Sequence, residues 1–192
     1  MPATSRRMHY TYAEYLALEE ESSIRHEYLD GEIYAMAGGT PDHAALAAAV
    51  LSILRAQHPR GYRVFSSDLR VRISATGLTT YPDGTVVCGG TQRAPEDPVA
   101  VTNPLVLVEV TSNSTEDYDR GEKLRQYQAI PSAKEILIVS HREPRITLHR
   151  RGEHGWTVAE AGAGESLALE SIGGVMQVDD VYRDGLEDAS RG

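Results

Sequence analysis

Apolar positions in this chain fall into two periods, and the elements follow from which period holds where. Over 40–57, "TPDHAALAAAVLSILRAQ" sets Leu46, Val50, Ile53 and Leu54 on one helical stripe. Thr40 is placed to cap it and Pro41 suits its first turn, and His58 marks its end. A shorter helix is expected over 11–21, "TYAEYLALEEE", with Tyr12, Tyr15 and Leu16 on one side and Thr11 as its cap. A third is expected in "STEDYDRGEKLRQYQAI", weakened by Gly121 and ended by Pro131, with Ser114 and Asp117 resembling a capping box. "VDDVYR" reads as a last short helix.

Strand signals fill the intervals. Asp30-Gly31 between stretches rich in Tyr and Ile is a hairpin signal. "YRVFSSDLRVRIS" and "TYPDGTVVC" read as two or three strands with a turn at Gly77, and "RITLHRRGEHGWTVAEAG" as a hairpin around Gly152. "RAPEDPVAVTNP" reads as a proline-rich loop. Two runs, "LVLV" at 105–108 and "EILIVS" at 135–140, show no alternation, as expected of strands covered on both faces. Buried strands separated by one late helix point to a mixed β-sheet with helices against it, an α/β fold. No repeat or linker divides the 192 residues, so we expect one domain with its core over about 10–182 and a frayed tail at 184–192.

Composition narrows the setting. Cys88 is the only cysteine, which excludes an internal disulfide and a cysteine zinc cluster and fits a reducing cytoplasm. No run is long enough to span a membrane, and the two arginines near the start precede no apolar segment, so no membrane association is expected. The formal net charge of −9 argues against diffuse binding to nucleic acid, though not against a cleft with gathered basic residues.

The candidate chemistry lies where acids interrupt apolar strand sequence. Glu109 follows "PLVLV" directly, and Asp83 precedes the apolar run after "YPD". A carboxylate at a buried strand end is costly without a positive partner. If the two strands are neighbours, the acids converge, an arrangement that suits a hard cation or acid/base work. Asp119, Lys123 and Tyr127 are four residues apart and share one helix face, which folds back near the end of the Glu109 strand. Two readings fit this spacing. Glu109 and Lys123 form a structural ion pair, with Asp83-Gly84 no more than a turn, or Glu109 and Asp83 share a divalent metal with Lys123 beside it.

Taken together, "YPD", "LVLVEVTSNST" and "DRGEKLRQY" resemble the PD-(D/E)XK nuclease superfamily. Within it they are most similar to the bacterial restriction-endonuclease family long catalogued as a domain of unknown function. "RHEYLDGEIYAMAGGTPDHAALAAAVLSIL" resembles that family's N-terminal hairpin and helix, and "PSAKEILIVS" its following strand. The resemblance implies a restriction-endonuclease-like fold with an N-terminal helix and hairpin and a C-terminal β-hairpin. It implies that Asp83 and Glu109 are the metal-binding acids, that the Val110 carbonyl is a further ligand, and that the cofactor is Mg²⁺ or Mn²⁺. The superfamily's usual lysine position falls on Thr111, and the resemblance places its replacement at Lys123. It also makes Glu27 a catalytic acid from the N-terminal hairpin, Tyr127 and Asp119 supports of the lysine, and His43 a residue at or beside the site. The family has an apolar residue after the aspartate where this chain has Gly84, which loosens the strand start.

Other polar residues carry less. Arg70 and Arg72 share one strand face and are candidates for DNA phosphate contacts, as are Arg142, Arg145, Arg150 and Arg151; a solvated face explains them equally. Asp68 reads as an edge residue, and His141, His149 and His154 as surface residues, since their spacing fits no zinc motif. Three functions are therefore carried forward. The first is a Mg²⁺-dependent DNA endonuclease, expected to be a homodimer. The others are a non-catalytic dimeric binding module of the same fold and a hydrolase of another phosphoester.

Overall fold

In the computed structural model, residues 9–36, 38–113 and 115–186 are described. Helix α1 (Tyr12–Glu21) begins at Thr11, whose hydroxyl and Glu14 form a reciprocal capping box. The β1–β2 hairpin (His26–Leu29, Glu32–Ala35) turns through Asp30 at φ 50° and Gly31 at φ 85°, the positive pair that a two-residue hairpin turn requires. Helix α2 (Pro41–Gln57) starts at a Thr40 cap and buries Leu46, Val50 and Leu54, as the stripe predicts. Among the described residues, no helix is long and apolar enough to cross a membrane.

Among the described residues, the strands sort into two six-stranded sheets and a two-stranded hairpin. The first sheet runs β2-β1-β5-β4-β8-β7 and the second β12-β11-β10-β9-β6-β3. The new members of the first are β4 (Val71–Ile73), β5 (Leu78–Thr80), β7 (Arg93–Ala94) and β8 (Asp97–Val101). The second contains β3 (Tyr62–Ser66), β6 (Gly84–Cys88), β9 (Val106–Val110), β10 (Glu135–Val139), β11 (Arg145–Gly152) and β12 (Gly155–Gly162). Strands β9 and β10 are parallel, with Val110 beside Val139, whereas β6 is antiparallel to β9, with Gly84 beside Val108. The segment expected as a proline-rich loop thus contains β7 and β8. Asp97, buried in β8, accepts from Tyr12 and Arg70, contacts between distant segments that no local pattern announces.

Alternation along β9 separates two cores. Val106, Val108 and Val110 pack on α2, on the β13–β14 hairpin (Ser166–Leu169, Gly174–Gln177) and on Val178 and Val181 of the last short helix, α5 (Val178–Val181). Leu107 faces the other way, into a cluster with Leu78, Leu124, Tyr127 and Ile130. By the same period of two, Glu109 points to the side of Leu107 and Tyr127.

The helix after β9 is not regular. Its α-helical ends, α3 (Glu116–Tyr118) and α4 (Leu124–Gln128), flank a π-helical stretch over Asp119–Lys123 that contains Gly121. The expected Ser114 cap lies outside the described residues; the cap position is Thr115.

Gly84 does the opposite of loosening its strand. A β-carbon built there would stand 3.2 Å from Val108 Cβ and 3.2 Å from Leu51 Cδ2, so a glycine lets β6 approach both β9 and α2 closely. Gly84→Val is accordingly expected to destabilise the fold by about 1–3 kcal/mol, read by denaturant unfolding, because the added methyls overpack this contact.

Candidate active site

Three chain segments bring their polar side chains to the end of the second sheet. Asp83 stands just before β6, and its Oδ2 accepts the Val110 N–H at 2.8 Å, which ties it to the last residue of β9. Glu109 lies one residue earlier on β9 and is 4% exposed. Lys123, at the end of the π-helical stretch, is 5% exposed and turns inward. Its Nζ is 3.1 Å from Glu109 Oε1, 3.0 Å from Glu27 Oε1 and 3.9 Å from Asp119 Oδ1. The Tyr127 hydroxyl donates to the same Glu109 oxygen, and the Thr80 hydroxyl to Glu27. Thr115 Oγ1 donates to Asp119 at 2.6 Å.

His43, in the first turn of α2, supplies a second cation: Nε2 is 3.3 Å from Asp83 Oδ2. Its pKa is raised, chiefly by Asp83, with the Val110 backbone and Asp119 adding to the effect against partial burial.

Charge decides how this cluster is protonated. Four carboxylates, Glu27, Asp83, Glu109 and Asp119, surround one lysine and one histidine. Burial alone would drive Lys123 toward its neutral form, but Glu109, Tyr127, Glu27 and Asp119 together hold it well above the usual lysine range. Burial pushes Glu109 well above the usual carboxylate range, with Lys123 opposing and Asp83 and Asp119 reinforcing. Asp119 is raised for the same reason. The lysine is therefore favoured in its charged form, while burial and crowding of like charges make Glu109 and Asp119 harder to ionise.

The donor set suits a hard divalent cation. Glu109 concentrates its tyrosine and lysine contacts on Oε1, and Asp83 its contacts on Oδ2. The second oxygen of each carboxylate thus has no protein donor among the described residues, and the local charge is negative. Among those residues no three His, Cys, Asp or Glu side chains form a ready ion cage, so backbone oxygen and water would complete the coordination.

The remaining expectations sort by place. Glu27 meets Lys123 rather than Asp83. Tyr127 both packs the core and touches the acid, so the two uses expected of it coincide. Arg70 and Arg72 do not join the cluster. Arg70 donates to Tyr81 at 2.8 Å and Asp97 at 2.9 Å, and Arg72 lies 4.1 Å over the Tyr12 ring and donates to Gly77 and Thr79. Both guanidinium groups are engaged between the first sheet and α1, apart from the acids. Arg142, Arg145 and Arg150 pair with Glu116, Glu143 and Glu135, and Arg151 caps the carbonyls of Gln128, Ile130 and Ala133. Asp68 is exposed beside Arg25, away from the cluster.

His141 is more than a surface residue. Its Nδ1 is 2.8 Å from Thr111 Oγ1 and its Nε2 3.0 Å from Asn113 Oδ1, which joins the ends of β9 and β10 beside the acids. A histidine directly after a buried strand, parallel to the one carrying Glu109, was the signal available for it. His149 is also partly buried, with burial lowering its pKa; His154 is exposed.

Comparisons with known proteins give the family. Residues 12–178 match the model of the Uma2 family, described as "Putative restriction endonuclease". A Synechocystis relative, "Uncharacterized protein slr1290", is 39% identical over 173 residues, covering 88% of this chain and 90% of its own length. A second from the same organism, "Uncharacterized protein sll1609", is 31% identical over 162 residues, covering 83% and 91%. The fold is similar to the crystal structure of "a putative nuclease belonging to DUF820" from Anabaena variabilis, with a TM-score of 0.64 at 16% identity over 85% of this chain and 92% of that one. The fold is thus restriction-endonuclease-like, mixed α/β, and the chain belongs to the Uma2 family of restriction-endonuclease-like proteins.

Proposed function

We propose that the protein is a Mg²⁺- or Mn²⁺-dependent endonuclease that hydrolyses phosphodiester bonds in DNA, as a cytoplasmic homodimer. Asp83, Glu109 and the Val110 carbonyl hold the cation. When bound, it lowers the pKa of a water and neutralises charge on the phosphate. Lys123 keeps its proton at Nζ and steadies the negative charge that develops on the phosphoryl oxygens. Glu27 and Asp119 fix the direction of Lys123, and Tyr127 fixes Glu109 through Oε1. The observation that carries this reading is the convergence of Asp83, Glu109 and Lys123 from two adjoining strands and one helix, with more negative than positive charge: Asp83 is 2.8 Å from the Val110 N–H and Lys123 is 3.1 Å from Glu109. The dimer is supported by β12, an eight-residue sheet edge on which Val158 is 60% exposed.

One observation favours the non-catalytic module instead. Lys123 is enclosed by three carboxylates, as a structural ion cluster would be. Nicking of supercoiled plasmid separates the two. The endonuclease reading expects Mn²⁺-dependent nicking by the wild type that falls by on the order of a hundredfold or more in Asp83→Asn, since loss of an ion-holding acid removes several kcal/mol of transition-state stabilisation. Nicking that persists in Asp83→Asn would trace to a contaminant, and a wild type that binds DNA without cutting it would be the module.

A further inference from the structure

We propose that His43 is itself a ligand of the cation, through Nε2 beside Asp83, so that the site is a mixed nitrogen–oxygen one selective for a first-row transition ion over Mg²⁺. This rests on the metal site proposed above and adds to it a ligand and a preference.

Three features of the structure separate this role from simple support of a helix end. The helix start is served by the backbone, since the His43 N–H donates to Thr40 Oγ1 at 3.2 Å. The ring is therefore not needed for capping, and it leaves the helix toward the sheet. Asp83, for its part, already has a structural partner in the Val110 N–H. Packing the fold does not require the imidazole at that carboxylate.

The spacing is that of two donors on one ion. Neighbouring ligands of a six-coordinate ion with bonds of about 2.1 Å lie about 3.0 Å apart. Nε2 stands 3.3 Å from Asp83 Oδ2, so a small turn of the carboxylate lets one ion take Nε2 together with the other oxygen of Asp83. Both side chains are partly open, 20% and 15% exposed, which gives an ion a way in.

Gly39 sits close beside the ring. A β-carbon built on Gly39 would lie 2.6 Å from His43 Nδ1 and 3.0 Å from Cγ. A side chain at 39 would thus collide with the imidazole, and glycine is what makes room for it. An imidazole nitrogen adds more affinity for a transition ion than for Mg²⁺, which takes oxygen and water.

Mn²⁺ titration of the full chain, followed by pulsed electron paramagnetic resonance, tests this. Bound Mn²⁺ should show ¹⁴N modulation in the wild type. His43→Gln should lose it, with Mn²⁺ affinity falling tenfold or more and Mg²⁺ affinity, read by competition, falling less. Gly39→Ala keeps the imidazole but displaces it, and should weaken Mn²⁺ in the same direction; thermal unfolding in chelator verifies that each variant is folded. Mn²⁺ bound through Asp83 and Glu109 without ¹⁴N modulation, or bound as tightly by His43→Gln, overturns the ligand and leaves the nuclease reading standing. A wild type that binds no Mn²⁺ overturns both.

Discussion

Lys123→Met is expected to lower the unfolding free energy by about 3–5 kcal/mol, the usual consequence of removing one partner from a buried ion cluster. For a chain of this length that is a fall in Tm of roughly 6–20 °C, read by thermal denaturation in chelator. The reason is local. Glu27, Glu109 and Asp119 all lie within 4 Å of Nζ, and methionine fills the space while leaving the three acids without a counter-charge. Plasmid nicking should disappear with it. A double variant separates the structural loss from the chemical one. Adding Glu27→Gln to Lys123→Met removes one stranded carboxylate and should recover part of the stability, with a coupling of about 0.5–3 kcal/mol, and none of the nicking. Recovery of both would mean that the lysine serves the fold alone.

Glu109→Gln should act in the opposite way on stability. In chelator its Tm is expected to stay within a few degrees of wild type, because glutamine keeps the shape and removes a buried charge, while Lys123 retains Glu27 and Asp119. The pH dependence follows from the raised pKa of Glu109. A carboxyl whose folded pKa lies above its unfolded value of about 4.5 binds its proton more tightly when folded. Its contribution to stability is complete below pH 4.5 and is lost as pH rises through the elevated folded value. Metal-free wild type should therefore lose stability on that rise, and Glu109→Gln should lack this component. Mn²⁺ reverses the comparison. At a hundredfold excess over Kd it should stabilise the wild type by about 2.7 kcal/mol, roughly 5–11 °C, and leave Glu109→Gln unmoved.

Much of the site was legible in sequence because it depends on short periods. The unbroken apolar run before Glu109 marks a strand buried on both faces, and alternation then fixes which face the acid takes. The spacing of Asp119, Lys123 and Tyr127 puts them together even though the segment is π-helical at its centre, since 119 and 123 remain one turn apart. The Thr40 cap and the Asp30-Gly31 turn are equally local.

What stayed hidden depends on which strands pair across long separations. Glu27 and Lys123 meet only because β1 joins β5 in the first sheet, and Thr80 at the end of β5 binds Glu27. The division into two sheets, with β7 and β8 in what reads as a loop, is likewise set by tertiary pairing. Arg70 and Arg72 show the same limit from the other side. Their alternation is right, but the face they share lies against the tyrosines of α1, a contact set by tertiary packing. Gly84 reads as a flaw until Val108 and Leu51 are seen against it.

The carboxylates of Asp83 and Glu109 are proposed to share one divalent ion, with Lys123 at its side. Anomalous diffraction from a crystal soaked in Mn²⁺ tests it most directly. A peak is expected between those two side chains, absent from Glu109→Gln crystals soaked in the same way. Well-ordered crystals with no peak there, or with Mn²⁺ bound only elsewhere on the molecule, would contradict it.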